Sequence, residues 1–174
     1  MAGLEDLYRE IILDHYRSPR NRGELAAPPA VRVEGFNPLC GDEVALFVNV
    51  DDGKVVDIKW SGQGCSISQS STSMLTVAAK GKTMAEARAL IRRFKGLMSI
   101  HEQALSGDAD GEQDEAGGVA EGRDEPEVQL GDLEALQGVV KFPVRIKCAT
   151  LSWNTLIEAL DETGQEDNPD TRLA

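Results

Sequence analysis

The chain of 174 residues contains three cysteines, Cys40, Cys65 and Cys148, and they carry its clearest chemistry. Each falls at the junction of two predicted elements. Cys40 lies in Asn37-Pro-Leu-Cys-Gly-Asp, just ahead of a strand, whereas Cys65 and Cys148 fall at the predicted starts of helices. Unpaired N–H groups and the helix dipole favour a thiolate at such starts. An odd number of cysteines behind an acidic N-terminus argues against a disulfide framework. Two readings then compete. The first takes the three as small buried hydrophobes, as most free cysteines are. The second notes that Cys40 and Asp42 flank a glycine and that Cys65 follows Gly62-Gln-Gly. Glycine permits the close approaches and positive φ of ligand loops. If sheet–helix packing joins the three loops, three thiolates and the Asp42 carboxylate make a tetrahedral set suited to Zn²⁺. No C-x-x-C is present, so spacing alone leaves both readings open.

Other reactive types carry less. His15 and His101 stand beside no cysteine motif and read as helix-surface or helix-end residues. The run Ser66–Ser73 has no paired His or Asp motif, so helix packing explains it better than nucleophilic catalysis. Trp60 and Trp153 read as core or rim aromatics.

The positioning elements follow from periodicity. Leu4, Leu7, Tyr8, Ile11 and Ile12 recur at helical spacing until Ser18-Pro19. A strand is expected over Val31 to Phe36. Val44, Leu46, Val48 and Val50 alternate, Asp51-Asp52-Gly53 turns, and Val56, Ile58 and Trp60 alternate again, which predicts a hairpin. A helix is expected from Ser66 to Lys80, stopped by Gly81. Thr83 and Glu86 form a capping box ahead of Ala87, Leu90, Ile91, Phe94 and Leu97. Structure resumes near Leu130 to Leu136, and a last helix is expected from about Cys148 to Gly164. The fold class is α+β, a small antiparallel sheet with helices on one side. A single domain over 1–164 is expected, interrupted by a flexible acidic insertion at 107–127 and followed by a disordered tail at 165–174.

Thirty acidic against eighteen basic residues give a net charge of −12. Residues 106–138 hold eleven acids and one base, Arg123, and residues 158–174 hold six acids and Arg172. The rest carries sixteen bases and thirteen acids, so the body is mildly basic. A strongly acidic chain is repelled by phosphate backbones, which argues against nucleic acid as partner. No apolar run reaches the length of a membrane span, and no signal peptide opens the chain, so a cytoplasmic location is expected.

Four segments together resemble a known family. They are Leu7-Tyr-Arg-Glu-Ile-Ile-Leu-Asp-His-Tyr-Arg-Ser-Pro-Arg-Asn, Asn37-Pro-Leu-Cys-Gly-Asp, Gly62-Gln-Gly-Cys-Ser-Ile-Ser and Lys147-Cys-Ala-Thr-Leu-Ser-Trp. In this order they are similar to the SufU branch of the IscU-like iron–sulfur assembly proteins, over roughly residues 4–105 and 128–163. The resemblance implies a three-stranded antiparallel sheet covered by helices, with Cys40, Asp42, Cys65 and Cys148 as metal ligands at one exposed end. Lys147 stands where the IscU branch has a His, and the segment 107–127 matches an insertion of the SufU branch.

The implied function is a zinc-dependent sulfur acceptor. It takes persulfide sulfur from a PLP-dependent cysteine desulfurase (SufS-type), as co-substrate and activator, and serves downstream cluster-assembly proteins. In that family a His of the desulfurase takes a zinc position and frees one cysteine. Cys40, in its Gly-flanked loop, is the one expected to be freed and to accept sulfur, because loops move at least cost. Arg145 and Lys147 would steer an anionic persulfide or an acidic partner. One alternative is a scaffold on which a [2Fe–2S] cluster is built and handed on. Another is a structural zinc-binding adapter, which fold alone does not exclude.

Overall fold

The computed structural model describes residues 3–106 and 128–166, with side chains except at 100–106 and 165–166. The expectations for the insertion 107–127 and for the tail beyond Glu166 lie outside the described residues. Helix α1 (Leu4–Arg17) opens the chain and closes with the Ser18 N–H donating to the Asp14 carbonyl at 2.9 Å. Strands β1 (Val31–Asn37), β2 (Asp42–Asp51) and β3 (Lys54–Gln63) follow as an antiparallel sheet in the order β1-β2-β3. The β2–β3 turn needs positive φ at both central residues. Asp52 (φ 52°) and Gly53 (φ 72°) supply it, and Asp is one of the few residues that tolerates that region.

Register decides which face is buried. Val33 opposes Leu46, which in turn opposes Trp60, and Val48 opposes Ile58. These side chains therefore share one face, and all are buried. That face is covered by α2 (Ser66–Ala79), which packs on β3, and by α4 (Pro143–Glu166), which packs on β1 and β2. The approach of α4 is close enough that a Cβ at Gly35 would overlap the Thr155 hydroxyl and crowd Leu151.

Helix α3 (Met84–Ser106) begins with the expected capping box. The Thr83 N–H donates to Glu86 Oε2 at 3.0 Å, and the Glu86 N–H donates to Thr83 Oγ1 at 3.2 Å. Phe94 of α3 stacks on Trp153 of α4, ring centroids 4.2 Å apart. Both tryptophans belong to the core, and each indole N–H has an acceptor: Arg20 O for Trp60 and Ser71 Oγ for Trp153. The stretch after 128 is a 3-10 helix, Gly131–Lys141.

Two boundaries differ from expectation. Helix α4 starts at Pro143 rather than near Cys148 and runs on through Gly164 to Glu166. Proline suits a first helical position, because its fixed φ matches and its missing N–H would have no helical partner there. Cys148 consequently sits in the second turn, where its N–H is already engaged in the helix.

The Ser/Thr run on α2 is packing, as expected. Ser70, Ser71, Thr72 and Ser73 are buried, and the hydroxyls of Ser70, Ser71 and Thr72 donate to backbone carbonyls. Ser73 Oγ accepts the Arg20 N–H and meets His15 Nδ1 at 2.8 Å. His15 does lie in the last turn of α1, but its ring is buried rather than on the surface. It bridges α2 to Asp132 of the 3-10 helix, whose carboxylate is 3.4 Å from Nε2. Burial pushes its pKa down, and the Asp132 contact opposes that. His101 lies on α3.

Candidate metal centre

The centre forms where the β1–β2 turn, the β3–α2 junction and the second turn of α4 meet. Cys40 is exposed on the turn between Asn37 and Asp42, which pair across the hairpin. The turn is closed by the Gly41 N–H donating to the Asn37 carbonyl at 2.9 Å, and Gly41 has φ +67°, a conformation glycine adopts at no steric cost. Asp42 begins β2 and is fully buried. Its Oδ1 accepts the Cys65 N–H at 2.9 Å. A Cβ at Gly64 would overlap that oxygen, so the bare backbone of Gly64 makes the room for it.

Cys65 caps α2, as the sequence predicts: its sulfur accepts the Ser68 N–H at 3.5 Å. Cys148 is buried, and its sulfur lies 3.2 Å from that of Cys40. The Asn37 side-chain amide donates to the same Cys148 sulfur at 3.8 Å. Among the described residues, one ligand atom each from Cys40, Asp42 and Cys148 lie within 4.8 Å of one another. Cys65 stands outside that group but is tied to it through its N–H on Asp42.

The expectation that Cys148 gains thiolate character from a helix N-terminus fails, because the helix starts five residues earlier. Burial pushes its thiol pKa strongly upward instead, reinforced by the contact with Cys40 and the nearby charges of Asp42 and Cys65. The cluster is also less exposed than the resemblance implies. Cys40 lies at the surface, Cys65 is half-buried, and Asp42 and Cys148 are inside.

The donor set fits a metal ion. Asp42 Oδ2 is buried without a hydrogen-bond partner, and an orphaned carboxylate oxygen inside a protein costs about 1–3 kcal/mol or more. Placed beside two sulfurs, it is an oxygen that a bound cation would satisfy. Soft thiolates with one carboxylate suit Zn²⁺. Arg145 and Lys147 are exposed on the first two turns of α4, on the same helix end as Cys148. The close approach at Gly64 is of the kind expected of Gly62-Gln-Gly, whereas the sequence reading gave Asn37 no role of its own, although an Asn ahead of Pro at a hairpin turn is a recognisable turn signal.

A three-stranded antiparallel sheet whose end gathers thiols and a buried aspartate under two helices defines a recognised class. The chain belongs to the family of the NifU-like N-terminal domain, whose profile matches residues 7–149. It is 43% identical over 155 residues to the zinc-dependent sulfurtransferase SufU of Bacillus subtilis, covering 89% of this chain and 90% of that protein. It is 37% identical to the iron–sulfur cluster assembly scaffold protein IscU of Streptococcus pyogenes, covering 92% and 86% of the two chains. Among solved structures, the SUF-system protein FiSufU of Fervidobacterium islandicum superposes with a TM-score of 0.65 at 30% identity, covering 91% of this chain and 99% of that one. No helix among the described residues is long and apolar enough to cross a membrane.

Proposed function

We propose that this chain is a zinc-dependent sulfur acceptor that takes persulfide sulfur from a PLP-dependent cysteine desulfurase for iron–sulfur cluster assembly. One observation carries the reading: a single exposed thiol, Cys40, stands on a turn directly against a buried thiol and a buried, unpaired carboxylate. That asymmetry separates holding from reacting. Cys65 and Cys148 are fixed by helices and hold the ion together with Asp42 and, at rest, Cys40. Bound there, zinc supplies the positive charge that keeps these sulfurs deprotonated at neutral pH.

Cys40 alone combines exposure with a backbone that can shift. Its thiolate attacks the outer sulfur of the donor persulfide. A new S–S bond forms at Cys40 Sγ, the donor's S–S bond breaks, and the electron pair leaves on the donor's thiolate. Arg145 and Lys147 add positive charge near the approach of an anionic persulfide.

The relative named as a scaffold and the soft donor set support a second reading, in which an iron–sulfur cluster is the cargo built on the same residues. Lys147, with no acceptor or ligand atom to offer an iron, weighs against it. The test is desulfurase turnover without iron. Zinc-loaded protein is expected to stimulate it, and Cys40→Ala to abolish the stimulation while remaining folded. A folded zinc form that gives no stimulation overturns the reading in favour of the scaffold. Loss of stability in Cys40→Ala as large as in Cys65→Ala favours a structural zinc adapter.

A further inference from the structure

Asn37 touches both sulfurs' supports at once. It is buried at the end of β1, and three of its groups are engaged. Its side-chain oxygen accepts the Leu39 N–H at 3.2 Å and its backbone carbonyl accepts the Gly41 N–H at 2.9 Å, so it shapes both ends of the turn that presents Cys40. Its side-chain N–H points to the Cys148 sulfur, 111 residues away in sequence. Cys148 is buried, and its other described polar contacts are the Cys40 sulfur and the Val144 carbonyl at 3.9 Å. The carbonyl is an acceptor only, so Asn37 offers the Cys148 sulfur a neutral N–H donor for the thiolate form that a bound metal ion would impose.

We propose that Asn37 is a positioning residue that clamps Cys148 in the metal centre while shaping the turn of Cys40, so that Cys40 is the sulfur released for transfer. This rests on the sulfur-acceptor reading and deepens it. A hydrogen bond to a thiolate withdraws charge from it and fixes its direction, and such partners of metal ligands commonly govern affinity by 10–100-fold. The clamp acts on one sulfur and the turn on the other, which makes two chemically identical side chains unequal.

Asn37→Ser separates the two roles. A serine oxygen accepts a turn N–H two residues on, as Asn does, but the side chain is too short to reach Cys148. The readouts are zinc affinity by competition with a chromophoric chelator, the sulfur-to-metal charge-transfer band of the Co²⁺-substituted protein, and peptide mapping of the added sulfur after desulfurase treatment. The expected result is a folded protein with about 10–100-fold weaker zinc binding. Its cobalt band is shifted, and its added sulfur is divided between Cys40 and Cys148 instead of residing on Cys40 alone. Asn37→Asp, which keeps the shape and sets a carboxylate oxygen against the sulfur, weakens zinc further.

Native zinc affinity and an unshifted cobalt band in either folded variant overturn the clamp. Failure of both variants to fold assigns Asn37 to the fold and overturns it as well. If the wild-type protein takes no sulfur at all, the acceptor reading falls, and the affinity and cobalt readouts still decide whether Asn37 clamps Cys148.

Discussion

Replacing Asp42 by Asn should move stability in opposite directions with and without metal. Asp42 is fully buried, with Oδ1 on the Cys65 N–H at 2.9 Å and Oδ2 without a partner. Without metal, an unpaired buried carboxylate oxygen carries a penalty of about 1–3 kcal/mol. Asparagine keeps the volume and the Oδ1 acceptor, and it turns an N–H₂ toward the Cys40 and Cys148 sulfurs, which can accept it. The metal-free variant should therefore melt higher, by about 2–4 °C for each kcal/mol in a chain of this size. With zinc, the variant loses its anionic ligand. A hundredfold loss of affinity removes about 2.7 kcal/mol from the metal's stabilisation at saturation. Circular-dichroism melts with chelator and with excess Zn²⁺ read both effects on one sample. A metal-free Asp42→Asn that melts below the wild type, together with an unchanged zinc increment, would refute the assignment of Asp42 as a ligand.

Three further outcomes follow from the packing. Gly64→Ala places a methyl group on Asp42 Oδ1, so isothermal titration should show about tenfold or more weaker zinc binding, while the metal-free folding stability drops by the roughly 1–3 kcal/mol of an overpacked site. Thr83→Ala removes one half of the capping box and should destabilise the fold by about 1 kcal/mol in urea titrations without altering zinc affinity. Burial lowers the His15 pKa in the folded state, so below the ordinary histidine value of about 6.5 the unfolded chain binds the extra proton first. Stability should thus be full above that pH and decline as the pH falls from it toward the lower folded value. His15→Gln should flatten that part of the melting profile, and an unchanged slope would place the proton elsewhere.

Local patterning made the sheet, its hairpin turn and the capping box legible, because each rests on contacts within a few residues. The cysteines and Asp42 were legible as candidate ligands, but which of them gather in space (Cys40, Asp42 and Cys148 among the described residues) was not. Proline at the first helical position moved the start of α4 back to Pro143, and with it Cys148 passed from a helix terminus to a buried second turn. A reading that begins a helix at the first periodic apolar residue overlooks that proline. The burial of His15 depends on Ser73 and Asp132, 58 and 117 residues away, and no local period reports such a contact. Asn37 escaped for the same reason, since its link to Cys148 spans 111 residues. The sulfur of Cys65, engaged with Ser68 at the cap of α2, lies outside the tight group even though its N–H binds Asp42.

The central claim is that Cys40 accepts sulfur while Asp42, Cys65 and Cys148 hold the metal. Its most direct test is mass spectrometry of the zinc-loaded protein after incubation with a cysteine desulfurase and cysteine, followed by peptide mapping under non-reducing conditions. The account predicts one added sulfur, located on Cys40 and absent from a folded, zinc-loaded Cys40→Ala. Added sulfur on Cys65 or Cys148 in the wild type, or undiminished acceptance by Cys40→Ala, would contradict it.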